Sequence, residues 1–187
     1  KVILATGHLR ELVQDFVSKK SYKNNIIFSH EENKLGTGGA IIKASRLIQA
    51  NEFIAINGDT IQELKIEKFF KKSILKEGDI MNIGFTISDL SYLGKLLVDS
   101  ENFITSFTEK KSPKVFGINP YKLCTSIGMY RCNSNYFKNL EIENKSLEED
   151  ILPLLVQERK AKASIFKEEF QDFGTFSRYN KLINNEK

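Results

Sequence analysis

Cysteine, histidine and long apolar runs are scarce in this sequence, and each scarcity excludes a class of protein. The chain has two cysteines, Cys124 and Cys132, and two histidines, His8 and His30. They lack metal-ligand spacing, and they indicate neither a disulfide framework nor a Ser-His-Asp or Cys-His catalytic arrangement. No apolar run approaches the roughly 20 residues of a membrane span, and no signal-peptide pattern is present. We therefore expect a cytoplasmic protein that does not bind a membrane.

Composition and charge narrow the class further. The chain is 41% hydrophobic and 28% charged, which is typical of a globular domain with a buried core. Its net charge of +4 favours phosphorylated small ligands, but the basic excess is too small and too scattered to indicate nucleic-acid binding. No repeat or linker divides the chain, so we expect a single domain over residues 1–187. The sequence leaves homo-oligomerisation open.

The order of strand-like and helix-like segments predicts an α/β fold. In the first half, short apolar runs alternate with segments that carry apolar residues on one helical face, as in a mainly parallel sheet flanked by helices. In the second half, strand-like segments follow one another around a hairpin turn at Asp99-Ser100-Glu101-Asn102. They predict a mixed sheet with a small antiparallel insertion that binds substrate. Helices are expected from Leu9 to Lys20, Ile41 to Gln49, Leu64 to Leu75, Ser146 to Lys160 and Phe176 to Asn184.

The stretch Asn57-Gly58-Asp59-Thr60 ends a continuous apolar run from Phe53 to Ile56. Such a run is typical of a strand buried on both faces, so Asp59 would lie at the carboxyl edge of the sheet, where open α/β sheets bind ligands. A carboxylate beside a glycine that lets a ligand approach is a suitable ligand for Mg²⁺. Taken alone, the stretch is explained at least as well by a turn followed by a helix cap.

A glycine-rich segment, Leu35-Gly36-Thr37-Gly38-Gly39-Ala40, joins a predicted strand to a predicted helix. Without Cβ atoms its backbone would be open to a flat ring or a phosphate, and the helix N-terminus would offer free N–H groups. The spacing matches neither the Rossmann fingerprint nor the P-loop. A flexible turn with glycine caps is the alternative interpretation.

Charged residues at other strand and helix ends also have two interpretations. Asp172 could pair with Asp59 around a cation, or it could cap the terminal helix. Glu109 and Lys110 follow a strand, where they could meet a sugar and its phosphate or form an ordinary surface turn. The acidic turn Glu148-Glu149-Asp150 suits the N-terminus of a helix.

Taken together, six stretches resemble the sugar-1-phosphate nucleotidyltransferase family, in the family's order and across most of the chain. They are Leu35-Gly36-Thr37-Gly38-Gly39-Ala40, Asn57-Gly58-Asp59-Thr60, Phe107-Thr108-Glu109-Lys110, Ile127-Gly128-Met129-Tyr130, Ser146-Leu147-Glu148-Glu149-Asp150-Ile151-Leu152-Pro153 and Asp172-Phe173-Gly174-Thr175. The resemblance implies a Rossmann-like nucleotidyltransferase fold. It also implies an enzyme that joins a nucleoside triphosphate to a sugar 1-phosphate, with Mg²⁺, and releases pyrophosphate.

Within this family, the glycine-rich segment and the short C-terminus are most similar to the D-glycero-D-manno-heptose 1-phosphate guanylyltransferases of capsule or lipopolysaccharide biosynthesis. The expected nucleotide is then GTP. Two alternatives stay open at this point. One is a related enzyme that uses CTP or UTP with a hexose or N-acetylmuramate phosphate, and the other is a regulatory protein that binds a nucleotide sugar without turnover.

The resemblance also implies a role for each matching residue. Asp59 and Asp172 would hold Mg²⁺ and, with Lys110, would be the catalytic residues. The nucleotide would contact Leu35, Gly36, Thr37, Gly38, Gly39 and Gly58. The sugar phosphate would contact Gly94, Glu109, Lys110, Gly128, Glu148 and Asp150. A phosphate oxygen of the sugar phosphate would attack the α-phosphorus in line, so catalysis would need positioning and charge neutralisation but no side-chain nucleophile.

The sequence departs from the family's pattern at its start and at two turns. The family's opening Gly-Gly-x-Gly-Thr-Arg loop and Pro-Lys, which cradle the triphosphate, have no match. Because the chain opens on an inner strand, from Val2 to Ala5, we expect that loop in a segment upstream of Lys1. Lys111 and Phe176 stand where the family commonly has proline, and both changes fall at turns.

Overall fold

The computed structural model describes residues 1–87, 95–108 and 122–185. The strands are Val2–Thr6 (β1), Ile26–His30 (β2), Glu52–Ile56 (β3), Thr60–Gln62 (β4), Met81–Ile87 (β5), Lys95–Val98 (β6), Ile104–Thr108 (β7), Lys122–Asn133 (β8), Ala161–Phe166 (β9) and Phe170–Asp172 (β10). The α-helices are Arg10–Ser18 (α1), Gly36–Ser45 (α2), Ile66–Lys72 (α3), Ser134–Lys138 (α4), Leu152–Gln157 (α5) and Phe176–Asn185 (α6). A 3₁₀ turn covers Lys23–Asn25, and a π-helical turn covers Leu147–Ile151.

The mixed α/β architecture expected from the sequence is confirmed. Parallel pairing joins β1 to β2 and β5 to β9, whereas β8 pairs antiparallel with β5 and β6. The predicted hairpin turn after β6 is also confirmed, because β6 and β7 pair antiparallel on either side of it. Contacts divide the chain into two compact units, Lys1–Phe53 with Asn133–Leu154 and Ile54–Cys132 with Leu155–Lys187. The single-domain organisation therefore stays a prediction.

The first unit contains the parallel pair of β1 and β2 and the helices α1, α2 and α4. The register of the pair runs from Val2 opposite Ile26 to Thr6 opposite His30. His30 connects these elements, since its Nδ1 lies 2.7 Å from Thr6 Oγ1 and its Nε2 accepts a hydrogen bond from Gln14. The buried core of the unit includes Ile42, Phe137, Leu147, Ile151 and Leu152.

The first helix buries less of its apolar face than its periodicity suggests. Leu9, Leu12 and Phe16 are exposed, and Val17 is the buried residue of α1. Periodicity predicts that a helix has an apolar face, but it does not specify a neighbour that covers the face. The ammonium group of Lys20 partly fills this role, at 4.3 Å from the ring of Phe16.

The second unit is built on a sheet with the order β7-β6-β8-β5-β9, in which β3 also pairs with β8. Its core contains a cluster of Leu64, Phe69, Ile127, Met129 and Phe166. A buried ion pair joins Lys162 Nζ to Asp79 Oδ2 at 2.7 Å. The side chains of Cys124 and Cys132, both on β8, are buried, and burial raises the pKa of the Cys132 thiol.

The helix predicted from Leu64 to Leu75 is shorter in the structure. Its apolar periodicity predicts that Ile66, Phe69, Phe70 and Ile74 point inward, and this is wrong for three of the four. Of its apolar residues, Phe69 is buried, but Ile66, Phe70 and Ile74 are about half exposed. The ring of Phe70 stays outside the core because it packs against the guanidinium group of Arg131, 3.9 Å from the ring centroid.

Among the helices that the structure describes, none combines the length and the apolar character required to cross a membrane.

Candidate functional site

The structure brings Asp59 and Asp172 together in the second unit. Asp59 directly precedes β4, and Asp172 is the last residue of β10. These two strands pair antiparallel, with Asp172 opposite Thr60. The backbone amide of Phe173 donates a hydrogen bond of 2.9 Å to the carbonyl oxygen of Asp59. The pairing of the two aspartates, which the sequence left as a hypothesis about the fold, is therefore found in the structure.

The two carboxylates both lie beside Gly174. A Cβ atom added to this glycine would be 2.6 Å from Asp59 Oδ2 and 3.4 Å from Asp172 Oδ1. The Gly174 amide also donates a hydrogen bond of 2.9 Å to Asp172 Oδ1. Any side chain at position 174 would therefore displace a carboxylate oxygen, and glycine is what allows the pair to converge.

The pair also has a cationic neighbour that sequence reasoning missed. Arg178, in the first turn of α6, donates from Nη1 to Asp172 Oδ2 at 2.8 Å, and both side chains are about half exposed. The amide of Arg178 bonds to Thr175 Oγ1, so the helix start fixes where this residue lies. The short spacing between Asp172 and Arg178, the first basic residue of the terminal helix, is the sequence signal that could have predicted this ion pair.

Gly128 fixes the end of β3 against β8. Its φ of +68° lies in the left-handed region that favours glycine, and a Cβ atom there would be 3.0 Å from the Cβ of Asn57. The amide of Asn57 donates a hydrogen bond of 2.9 Å to the Gly128 carbonyl. The structure thus gives Gly128 a backbone role that places Asn57-Gly58-Asp59. Gly58 itself is exposed, and a Cβ atom on it would meet no other atom within 4 Å.

In the first unit, the glycine-rich segment is the first turn of a helix. α2 begins at Gly36, earlier than the predicted start at Ile41. The amides of Gly38 and Gly39 donate hydrogen bonds of 2.9 and 3.2 Å to the carbonyl oxygen of Lys145. The amide of Lys145 in turn donates to the Leu35 carbonyl at 2.9 Å. The sequence interpretation expected free N–H groups at this helix start. Those of Gly38 and Gly39 are not free, because another backbone segment caps them.

The glycines of this segment pack against the protein itself. A Cβ atom on Gly36 would be 2.6 Å from the Lys145 carbonyl oxygen, and one on Gly38 would be 2.8 Å from Ile151 Cδ1. A Cβ atom on Gly39 would overlap the Glu143 carbonyl oxygen. The interpretation of an open glycine backbone is therefore wrong at these three positions, because packing already requires glycine there. Their contact with a nucleotide stays a prediction.

Glu148 and Asp150 make defined contacts within the first unit. Thr37 Oγ1 donates a hydrogen bond of 3.1 Å to Glu148 Oε2. Asp150 Oδ2 accepts from the amide of Ser146 at 2.7 Å, while Ser146 Oγ accepts from the amide of Glu149 at 3.1 Å. The two side chains thus order the helix start and the glycine-rich segment, and their predicted contact with the sugar phosphate stays a prediction.

A family model described as nucleotidyl transferase matches residues 1–187. The chain belongs to the nucleotidyl transferase family. The family resemblance drawn from the six sequence stretches is confirmed, and with it the fold class.

Individual nucleotidyl transferases are similar to the chain over nearly its whole length. The D-glycero-alpha-D-manno-heptose 1-phosphate guanylyltransferase of Campylobacter jejuni subsp. jejuni serotype O:2 is 30% identical over 186 residues, which cover 99% of this chain and 79% of that protein. The enzyme of the same name from Aneurinibacillus thermoaerophilus is 28% identical over 182 residues, covering 97% and 76%. The crystal structure of HddC from Yersinia pseudotuberculosis complexed with GMP-PN has a TM-score of 0.78 at 28% identity, covering 100% of this chain and 79% of that chain.

Three of the sugar-phosphate residues predicted for this nucleotidyl transferase lie outside the described residues. They are Gly94, Glu109 and Lys110. Within the described ranges, no group of three or more His, Cys, Asp or Glu side chains is arranged to hold a metal. The role of Asp59 and Asp172 as metal ligands stays a prediction.

Proposed function

We propose that the chain transfers a guanylyl group from GTP to D-glycero-D-manno-heptose 1-phosphate and releases pyrophosphate. The observation that carries the proposal is the convergence of Asp59 and Asp172 on Gly174 in a chain of the nucleotidyl transferase family. The choice of GTP and of a heptose phosphate is supported by the names of the two similar guanylyltransferases.

The two carboxylates fit Mg²⁺ by their chemistry. Mg²⁺ prefers hard oxygen ligands and commonly binds through one or two carboxylates, completing its shell with water and substrate phosphate oxygens. Asp59 and Asp172 are exposed and supply such oxygens beside a glycine whose lack of a side chain leaves the space next to them open. We assign both as ligands of Mg²⁺. The bound ion would supply positive charge to the phosphate oxygens as negative charge develops on them.

The reaction needs positioned reactants more than a reactive side chain. A phosphate oxygen of the sugar phosphate attacks the α-phosphorus of GTP, and the bond from that phosphorus to the bridging oxygen breaks. Pyrophosphate leaves with the electron pair, so no covalent enzyme intermediate forms. In this proposal Lys110 neutralises the sugar phosphate, and Glu109 accepts hydrogen bonds from sugar hydroxyls. The family resemblance assigns Gly94 and Gly128 to the sugar pocket.

The nucleotide is assigned to the segment from Leu35 to Gly39 and to Gly58. The open space beside Gly58 supports its part, because a Cβ atom there would meet no other atom within 4 Å. In the glycine-rich segment, packing encloses Gly38 and Gly39, so the exposed Thr37 is the residue best placed to face a base or a ribose. Both assignments are independent of the metal assignment.

The function is tested by pyrophosphate release from the purified full-length protein. Each of the four nucleoside triphosphates is combined with Mg²⁺ and a panel of sugar 1-phosphates, including the heptose, mannose, glucose and N-acetylmuramate phosphates. Release with GTP and the heptose phosphate alone is the expected result. Release with CTP or UTP, or with a hexose phosphate, would contradict the proposed substrates but support the nucleotidyl transfer reaction. Binding of a nucleotide sugar without release from any pair would favour the regulatory protein.

The metal assignment is tested by Asp59→Asn, which keeps the shape of the side chain and removes its charge. We expect kcat to fall by about 100-fold or more, because a ligand of the charge-stabilising ion is lost. The apparent affinity for Mg²⁺, measured by calorimetry, should fall in parallel. Glu63→Gln is the matched control, since Glu63 is an exposed acid of the same unit and the same charge is removed. Equal turnover in the two variants would remove Asp59 from the metal site.

A further inference from the structure

The acidic turn that follows Ser146 holds the glycine-rich segment by its side chains as well as by its backbone. Thr37 Oγ1 accepts a hydrogen bond of 2.9 Å from the amide of Leu147. Its one proton is donated to Glu148 Oε2 at 3.1 Å, and Ser146 Oγ approaches the same oxygen at 3.4 Å. A hydroxyl group has one donor and two lone pairs, so these two bonds fix the rotamer of Thr37.

The backbone on both sides of Thr37 is held in place by packing and by a hydrogen bond. The residues on either side of it are Gly36 and Gly38, whose added Cβ atoms would come within 3 Å of the Lys145 carbonyl oxygen. Upstream, Glu31 Oε2 accepts a hydrogen bond of 2.9 Å from the amide of Leu35. Thr37 is therefore the exposed residue of a segment that is otherwise packed and bonded in place.

We propose that Glu148 is a positioning residue for the nucleotide and acts through Thr37. This inference rests on the proposed function, in which Thr37 contacts the base or ribose. The carboxylate accepts the Thr37 proton and so presents the Thr37 methyl group and hydroxyl oxygen to the nucleotide in one orientation. The hydrogen bond is charge-assisted, which makes it stronger than a bond between two neutral groups. Glu148 then determines the affinity for the nucleotide, in contrast to the sugar-phosphate contact predicted from the sequence.

The two roles differ in which Michaelis constant they affect. If Glu148 acts through Thr37, then Glu148→Ala raises KM for GTP by roughly tenfold and leaves KM for the sugar phosphate unchanged. Thr37→Val, which removes the hydroxyl at nearly constant shape, should raise KM for GTP at least as much, because it removes the group that Glu148 orients. Thr37→Ser keeps the hydroxyl and should restore a KM close to that of the wild type. Glu149→Gln is the matched control, because Glu149 is an exposed acid of the same turn whose amide, and not its carboxylate, bonds to Ser146.

A double variant separates action through Thr37 from an independent effect. The rise in KM for GTP in Thr37→Val/Glu148→Ala should equal that of Thr37→Val alone, because without the hydroxyl group Glu148 has nothing to orient. Effects that multiply, or a rise in KM for the sugar phosphate alone, would overturn the inference. Loss of folded protein would lower the melting temperature and kcat without changing KM, and in that case Thr37→Val, which leaves Glu148 in place, carries the test.

Failure of the proposed function is recognised separately. Wild-type protein that releases no pyrophosphate from any pair would refute the function and, with it, this inference. Wild-type protein that turns over normally, with Glu148 variants that leave KM for GTP unchanged, would refute the positioning role alone. The ratio of the two Michaelis constants is therefore measured first on the wild type.

Discussion

Gly174 is the residue on which the candidate metal site of the second unit depends, because a side chain there would displace a carboxylate oxygen. An atom added to Gly174 would approach the carboxylates of Asp59 and Asp172, which lie far apart in the sequence, and the Gly174 amide bonds to Asp172. Like charges brought together in this way repel one another, and a bound cation would relieve the repulsion. Arg178 already supplies one positive group to Asp172.

A methyl group at position 174 is expected to disrupt this arrangement. In Gly174→Ala the new Cβ atom would be 2.6 Å from Asp59 Oδ2, so the Asp59 carboxylate must leave its present position. We expect the affinity for Mg²⁺, measured by calorimetry without substrate, to fall by about tenfold, which corresponds to about 1.4 kcal/mol. The melting temperature should change little because Gly174 is exposed. Unchanged Mg²⁺ binding would show that the two aspartates do not share an ion.

At the scale of elements, tight turns order the antiparallel part of the sheet. Asp99 Oδ1 accepts hydrogen bonds from the amides of Glu101 and Phe103, at 2.9 and 3.0 Å, across the turn between β6 and β7. Its other oxygen accepts from Arg159 Nη2 at 2.7 Å. Partial burial acts to raise the pKa of Asp99, but the bonds from Arg159, Phe103 and Glu101 outweigh it and hold the pKa below its usual value.

This carboxylate gives the fold a dependence on pH. Because the pKa of Asp99 is lower in the folded chain than in the unfolded chain, its stabilisation is complete above the unfolded pKa of about 3.9 and is lost as pH falls through the folded pKa. We expect Asp99→Asn to lower the free energy of unfolding by about 1 kcal/mol at pH 7, since the ion pair with Arg159 is half exposed. Denaturant unfolding should show a smaller difference between the two proteins near pH 3. An equal difference at both pH values would contradict the assignment.

At the scale of the whole molecule, sequence reasoning predicted the order of the elements better than their contacts. Short apolar runs and helical periodicity identified the strands and helices, because these signals are local. The start of α2 was missed because glycine is a poor helix former, and its helical conformation here depends on Lys145, which is remote in sequence. The pairing of Asp59 with Asp172 could be stated only as a hypothesis, since it requires β4 and β10 to meet.

The predicted roles in substrate binding depend on the family resemblance more than on the local patterns. Glycine spacing suggested an open backbone, whereas Gly36, Gly38 and Gly39 are needed to pack against the protein itself. Periodicity gave α3 a broader inward face than the structure buries, and Phe70 packs against Arg131 instead. Local sequence carries no information about which distant segment covers a face, and this explains both errors.

The two buried thiols of β8 allow the opening of the second unit to be measured. Cys124 and Cys132 lie at opposite ends of the strand, each with no exposed surface. A thiol reagent can modify them only when the strand separates from its neighbours, so the modification rate reports how often the second unit opens. With an aromatic disulfide reagent, we expect labelling at least about 1,000-fold slower in the native protein than in denaturant. Immediate labelling of either cysteine without denaturant would show that the sheet frays locally. One absorbance trace can then tell, for any substitution in that unit, whether lost activity reflects damaged chemistry or a loosened sheet.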